Sequence, residues 1–151
     1  MKTLIVCCVV AGLAAITNSL LAEPKAEKGL TARDLAGLYE ITAGEKSGEK
    51  LPAERVKGQK VRFSEDKIIT TDKDDKEVYT CTYKLDSTKS PAVLTMVSTV
   101  TGFEGAVAKG LVQSEGDQVR LIYTLPDGTA APEKFRTEEG QIMVVLKKLK
   151  Q

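Results

Sequence analysis

From residue 31 onward, apolar and polar residues alternate in short runs bounded by turn-forming residues. The cleanest run is Glu77 to Leu85, where Tyr79, Cys81, Tyr83 and Leu85 fall on one side and Val78, Thr80, Thr82 and Lys84 on the other. A period of two in β-branched and aromatic residues is the signature of a half-buried strand. The same pattern predicts strands over Leu38–Thr42, Lys60–Ser64, Lys67–Thr71, Ala92–Thr99, Ala108–Gln113, Gln118–Thr124 and Gln141–Leu149. Val61 and Phe63 share one face of the second strand, and Val119, Leu121 and Tyr123 share one face of the seventh. Turn chemistry separates them: Gly44 to Gly48, Glu65-Asp66, Asp72 to Lys76, Asp86 to Pro91, Glu115-Gly116-Asp117 and Pro126-Asp127-Gly128. Thr101 to Ala106, with Gly102 and Gly105, is the longest loop expected. Thr31 and Asp34 have the spacing of a helix N-cap, so a short helix is expected from Ala32 to about Ala36, stopped by Gly37. Leu51 to Gly58 reads as one helical turn, with Pro52 at its start and Gly58 past its end.

Eight strands joined mostly by short links form a meander. A meander has two exposed edges unless it closes on itself, so the expected fold is all-β, an eight-stranded, mostly antiparallel up-and-down barrel with a short helix before the first strand. An open, strongly curved sheet and a two-sheet sandwich are the rival arrangements. Eight strands enclose an interior that side chains fill or that holds one small ligand. The candidate ligand-binding residues of such an interior are Tyr39, Tyr79, Tyr83, Val119 and Tyr123, although the same side chains would equally serve as core.

Composition narrows the function classes. Lysine and arginine number 22 and aspartate and glutamate 21, and Lys2 is the only charge before residue 23. Without that N-terminal segment the two signs balance, so no net field steers the chain to nucleic acid or anionic lipid. Histidine is absent, which excludes Ser-His and Cys-His couples and His-ligated zinc. Cys7 and Cys8 lie in the N-terminal apolar run, leaving Cys81 without an intramolecular disulfide partner.

That N-terminal run has the layout of an export signal: Lys2, an uncharged stretch from Leu4 to Ile16, polar Thr17 to Ser19, and Ala22 before a cleavage point. A membrane anchor is the rival reading, but the run is short against the roughly 20 residues a span needs. A lipoprotein signal would place a cysteine after the apolar run, not at its start. The expected organisation is a signal peptide over 1–22, a linker over 23–30 and the barrel domain over 31–151, exported to the periplasm or outside the cell, with no membrane association after cleavage.

No chemistry-bearing constellation stands out. Asp72, Asp74, Asp75 and Glu77 are dense in carboxylates, but a calcium loop counted from Asp72 would have Lys76 at its fifth position, Glu77 at its sixth and Tyr83 at its twelfth. Glu65 and Asp66 sit in a turn between short strands. Gly105 to Gly110 has the opening spacing of a phosphate-binding loop, but Leu111 and Val112 follow where lysine and a hydroxyl residue are required. Cys81 alternates in phase with Tyr79 and Tyr83, which makes it a buried thiol rather than a reactive one. Lys147, Lys148 and Lys150 read as a solvated strand end. No catalytic residue, metal site or cofactor is expected.

Several strings resemble, in order, an uncharacterised exported domain family abundant in planctomycete bacteria: DLAGLYEITAGEKSGEKLPAERVKG from Asp34, TCTYKLDSTKSP from Thr80, KGLVQSEGDQVRLIY from Lys109, PEKF from Pro132 and VVLKKLK from Val144. The resemblance spans Ala32 to Lys150 and implies export and a lipocalin-like barrel, with no established activity. Tyr39 stands where that family often has tryptophan, and Ala131 where arginine is frequent. In lipocalin-like barrels a Gly-x-Trp on the first strand packs against an arginine at the closing end; Gly37-Leu38-Tyr39 departs from that pattern. Two functions follow as expectations: a non-catalytic binding module for a small apolar molecule, or a module with a filled core that binds an envelope or extracellular protein.

Overall fold

A computed structural model describes residues 29–150. The expected signal peptide and most of the expected linker lie outside the described residues. Helix α1, Ala32–Leu35, starts at the capping pair read from the sequence: Asp34 N–H donates to the Thr31 hydroxyl, and the Asp34 carboxylate accepts from Thr31 N–H. Leu35 is fully buried. Gly37, at φ +145°, then turns the chain into the first strand, in a conformation that favours glycine.

The strands are β1 Gly37–Lys46, β2 Glu49–Lys50, β3 Lys60–Phe63, β4 Lys67–Thr71, β5 Glu77–Asp86, β6 Ala92–Ser98, β7 Val107–Glu115, β8 Gln118–Thr124 and β9 Gln141–Lys148, with helix α2 at Ala53–Val56. Every neighbouring pair is antiparallel, and β1 pairs with β9, from Tyr39 opposite Lys148 to Lys46 opposite Ile142. The sheet is therefore closed. Strands β1 and β3 to β9 make the eight-stranded barrel, and β2 is a short stub on the far end of β1. Neither the open sheet nor the sandwich is formed.

Two features depart from expectation. The first strand runs on to Lys46 because a bulge between Ile41 and Ala43 lets it stay paired with β9. The longest connection is 125–140, between β8 and β9, not Thr101–Ala106. This connection crosses the outside of the barrel. Leu111 and Ile122 face each other on the outward phase of β7 and β8, yet both are buried. The strap over them is held by the Thr124 hydroxyl donating to Ala130 C=O at 3.0 Å and by Arg120 lying 5.2 Å from the Phe135 ring centroid. Its far end is tied to the β1–β2 turn, where Gly48 N–H donates to the Thr137 hydroxyl at 2.8 Å.

The two ends of the barrel differ. At the α1 end the interior is filled. Tyr39, Phe63 and Tyr83 stack edge to face, with centroids 5.5 Å and 6.1 Å apart. Tyr39 donates to Leu35 C=O at 2.8 Å, and Tyr83 donates to Ser64 C=O at 2.7 Å. Leu94, Val112, Val119 and Leu146 complete this packed layer. Lys148 of the closing strand lies 5.7 Å from the Tyr39 centroid. A Cβ on Gly37 would come within 2.9 Å of the Lys148 Cε. The first-strand aromatic therefore meets a cation of the closing strand.

Candidate functional site

The opposite end of the barrel is hollow, and the reason begins with the bulge. Up to Ile41 the odd-numbered residues of β1 point inward; past the bulge Gly44 and Lys46 take the inward phase, opposite Val144 and Ile142. Gly44 leaves room that the Leu51 side chain takes, since a Cβ there would sit 2.8 Å from Leu51 Cδ1. Leu51 N–H also donates to Gly44 C=O at 2.8 Å. This seat folds the segment carrying α2 over the barrel end, where Val56 is buried beneath it.

Below this cover lies a cavity of about 330 Å³. Its wall is largely apolar: Ile41, Val61, Ile68, Met96, Leu121 and Val144. Thr70, Tyr79, Tyr123 and Gln59 are the polar side chains on it, and Lys46 and Arg55 stand at the rim, both exposed. No aspartate or glutamate lines it.

The two cavity tyrosines differ. The Tyr79 hydroxyl is directed at the Cys81 thiol, and the Ser98 hydroxyl at the Tyr79 oxygen; burial first, and Cys81 second, push Tyr79 up to about 12. Tyr123 has no protein hydrogen-bond partner for its hydroxyl among the described residues; the side chain is half-buried on the cavity wall, and burial first, then Tyr79 and Cys81, raise its pKa. Gly110 stands opposite it in register, and a Cβ there would come within 2.3 Å of Ile122 C=O, so β7 and β8 approach closely behind the Tyr123 ring.

Of the residues singled out from sequence, Tyr79 and Tyr123 meet at the cavity. Tyr39, Tyr83 and Val119 also point inward, but into the filled half. Phe103 is 58% exposed, and Phe135 lies on the strap itself, against Arg120 outside the barrel. Cys81 is fully buried, and burial pushes its thiol up to about 11, which keeps it protonated and unreactive at neutral pH. The Asp72 carboxylate accepts from Asp74 N–H and Lys76 N–H, and Asp75 pairs with Lys60 at 2.8 Å, as a hairpin turn requires. Among the described residues no cluster of acidic and sulfur side chains is arranged to hold a metal ion.

Sequence reasoning missed Lys46, Arg55, Gln59, Thr70 and Met96. Lys46 reaches the cavity only because the bulge reverses its phase, and Arg55 and Gln59 only because α2 folds over the end. Pro52 and Gly58 were the legible signal for that helix, but not for where it lies. Scans against protein-family models, curated proteins and solved structures found no match to this chain.

Proposed function

We propose that this protein is an exported, non-catalytic binding module that holds a small, mostly apolar molecule in the cavity at the α2 end of its barrel. The observation that carries this reading is the division of the interior: one half packed and hydrogen-bonded, the other an apolar-walled space at the small end of the range ligand sites occupy. A barrel of this size needs no such space to fold, because eight strands leave an interior that side chains alone can fill. Export follows from the N-terminal signal pattern and from the planctomycete resemblance, and remains part of the proposal.

Native mass spectrometry of protein purified from its own host tests this directly. A bound molecule of a few hundred daltons, on a chain starting near Glu23, is the expected result; a bare, full-length cytoplasmic chain would overturn it. One observation favours a second reading. Val78, Phe103 and Val107 are 50%, 58% and 63% exposed, and all three lie at the cavity end of β5 and β7 and the loop between β6 and β7. A protein in the native spectrum, lost on Phe103→Ser, would identify an envelope partner bound there instead.

A further inference from the structure

We infer that the ligand is an anionic amphiphile, its alkyl chain in the barrel and its anionic head group at the mouth beside Lys46 and Arg55. The inference rests on the cavity's being the ligand site and adds the chemistry of what enters it.

Three observations lead to it. First, charge at the mouth is of one sign. Lys46 and Arg55 line the cavity, and no carboxylate does. Acidic residues are close in sequence but committed elsewhere or turned away. The Glu45 carboxylate accepts from Thr137 N–H and its hydroxyl, and Glu54 lines no part of the cavity. Glu49 stands opposite Lys46 in the β1–β2 ribbon, but forms no ion pair with it and does not reach the wall. Neither Lys46 nor Arg55 pairs with a described carboxylate, whereas Lys60, Lys73, Arg33, Arg120 and Lys134 each do.

Second, strand register ties Lys46 to the cavity wall. Tyr123 and Lys46 both register with Ile142, one through β8 and one through β1. Tyr123 and Lys46 are thus two strands apart at one level of register, and both line the cavity. Lys46 and Arg55 offer N–H donors to an incoming oxyanion at the mouth.

Third, the wall below this level changes character. Beneath Tyr123 and Ile142 come Leu121 and Val144, with Ile41, Ile68 and Met96 around them. This is a surface for methylene groups, with Tyr79 the polar exception already engaged by Cys81 and Ser98. A ligand polar at one end and apolar along its length matches both levels. A neutral ligand would leave the two cations without a role, and a cationic one would meet repulsion.

The test compares decanoate, decanol and decyltrimethylammonium, matched in chain and differing in head-group charge, by calorimetry at low salt with the full-length protein. Decanoate is expected to bind about tenfold tighter than decanol, and the cation not detectably. The Lys46→Met, Arg55→Met double variant should bind decanol as before and lose the preference for decanoate. Lys57→Met, which removes a cation of the same segment outside the cavity, should keep it. Decanol binding as tightly as decanoate to the unaltered protein, or a preference that survives the double variant, overturns the anionic head group while leaving the cavity a ligand site. Failure of all three probes to bind overturns both.

Discussion

Four tyrosines point into this barrel, and removing the hydroxyl groups of three of them, one each on β1, β5 and β8, should have different consequences. The perturbation is Tyr→Phe at positions 39, 83 and 123, which deletes one oxygen and leaves the ring packing in place. Tyr39 is 1% exposed and donates to Leu35 C=O at 2.8 Å. Its loss leaves that carbonyl in the core without this donor, so the cost should reach about 1–3 kcal/mol. Tyr83 donates to Ser64 C=O at 2.7 Å in a partly buried setting that water reaches more easily. There the cost should be about 0.5–1.5 kcal/mol. Tyr123 has no protein partner to lose and is half-buried on the cavity wall. Removing its hydroxyl should change the stability of the unliganded protein by no more than about 0.5 kcal/mol. The chain has no tryptophan, so urea unfolding is best followed by circular dichroism. The slope with denaturant should be the same for all three, since none changes the surface exposed on unfolding. In thermal scans each kcal/mol should appear as a shift of about 4 °C. Tyr123→Phe losing as much stability as Tyr39→Phe would refute the division between a satisfied half and a hollow one.

Other outcomes follow from the same packing. Cys81 should react slowly with a thiol reagent in the native protein and fast once unfolded, and Cys81→Ser should cost about 1 kcal/mol, because the Ile68 amide and Tyr79 remain as partners. Rapid native labelling would place the thiol on the outer face and reverse the face assignment of β5. Gly110→Ala should destabilise by about 1–3 kcal/mol, since a Cβ within 2.3 Å of Ile122 C=O forces β7 and β8 apart; an unchanged urea midpoint would contradict that approach. The Glu45 carboxyl is held below its ordinary value, chiefly by the Thr137 hydroxyl and then by its amide. A depressed carboxylate stabilises the fold fully above its unfolded pKa and loses that contribution as pH falls through the folded one. Glu45→Gln should therefore be less stable than the unaltered protein at neutral pH and equal to it below the ordinary glutamate range; a difference that persists in acid would mean that the tie to the strap is not electrostatic.

Most of the barrel was legible in the alternation. Glu77 to Leu85 reads as a strand with Cys81 and Tyr83 inside, and β5 buries those two residues while leaving Val78 and Lys84 exposed. Turn residues fixed the ends of β3, β4, β8 and the start of β9 to within a residue, because Gly, Asp and Pro act locally. Three things were not legible, for one physical reason: each depends on which strands meet. The stub β2 is Glu49–Lys50, two exposed charged residues with no apolar pattern to reveal them. The bulge beside Thr42 has no signature of its own, and it exists because β1 must keep register with β9, which lies at the other end of the chain. Residues 125–140 carry no strand period, and their role as a strap over Leu111 and Ile122 appears only once those two are seen in outward register. The candidate site suffered most, since two of its sequence-derived residues reach the cavity but its cationic rim depends on the bulge and on where α2 lies.

The central claim is that apolar ligand enters the half of the barrel below α2 and no other part of the protein. The two described methionines report on it from opposite sides. Met96 is buried on the cavity wall, whereas Met143 faces outward, opposite Ile122 and Glu45. Labelling the methionine methyl groups and titrating decanol into the protein, followed by NMR, should shift the Met96 resonance in a saturable manner and leave that of Met143 in place. A Met96 signal that stays fixed while Met143 moves, or no saturable shift at either, would contradict a ligand site inside the barrel.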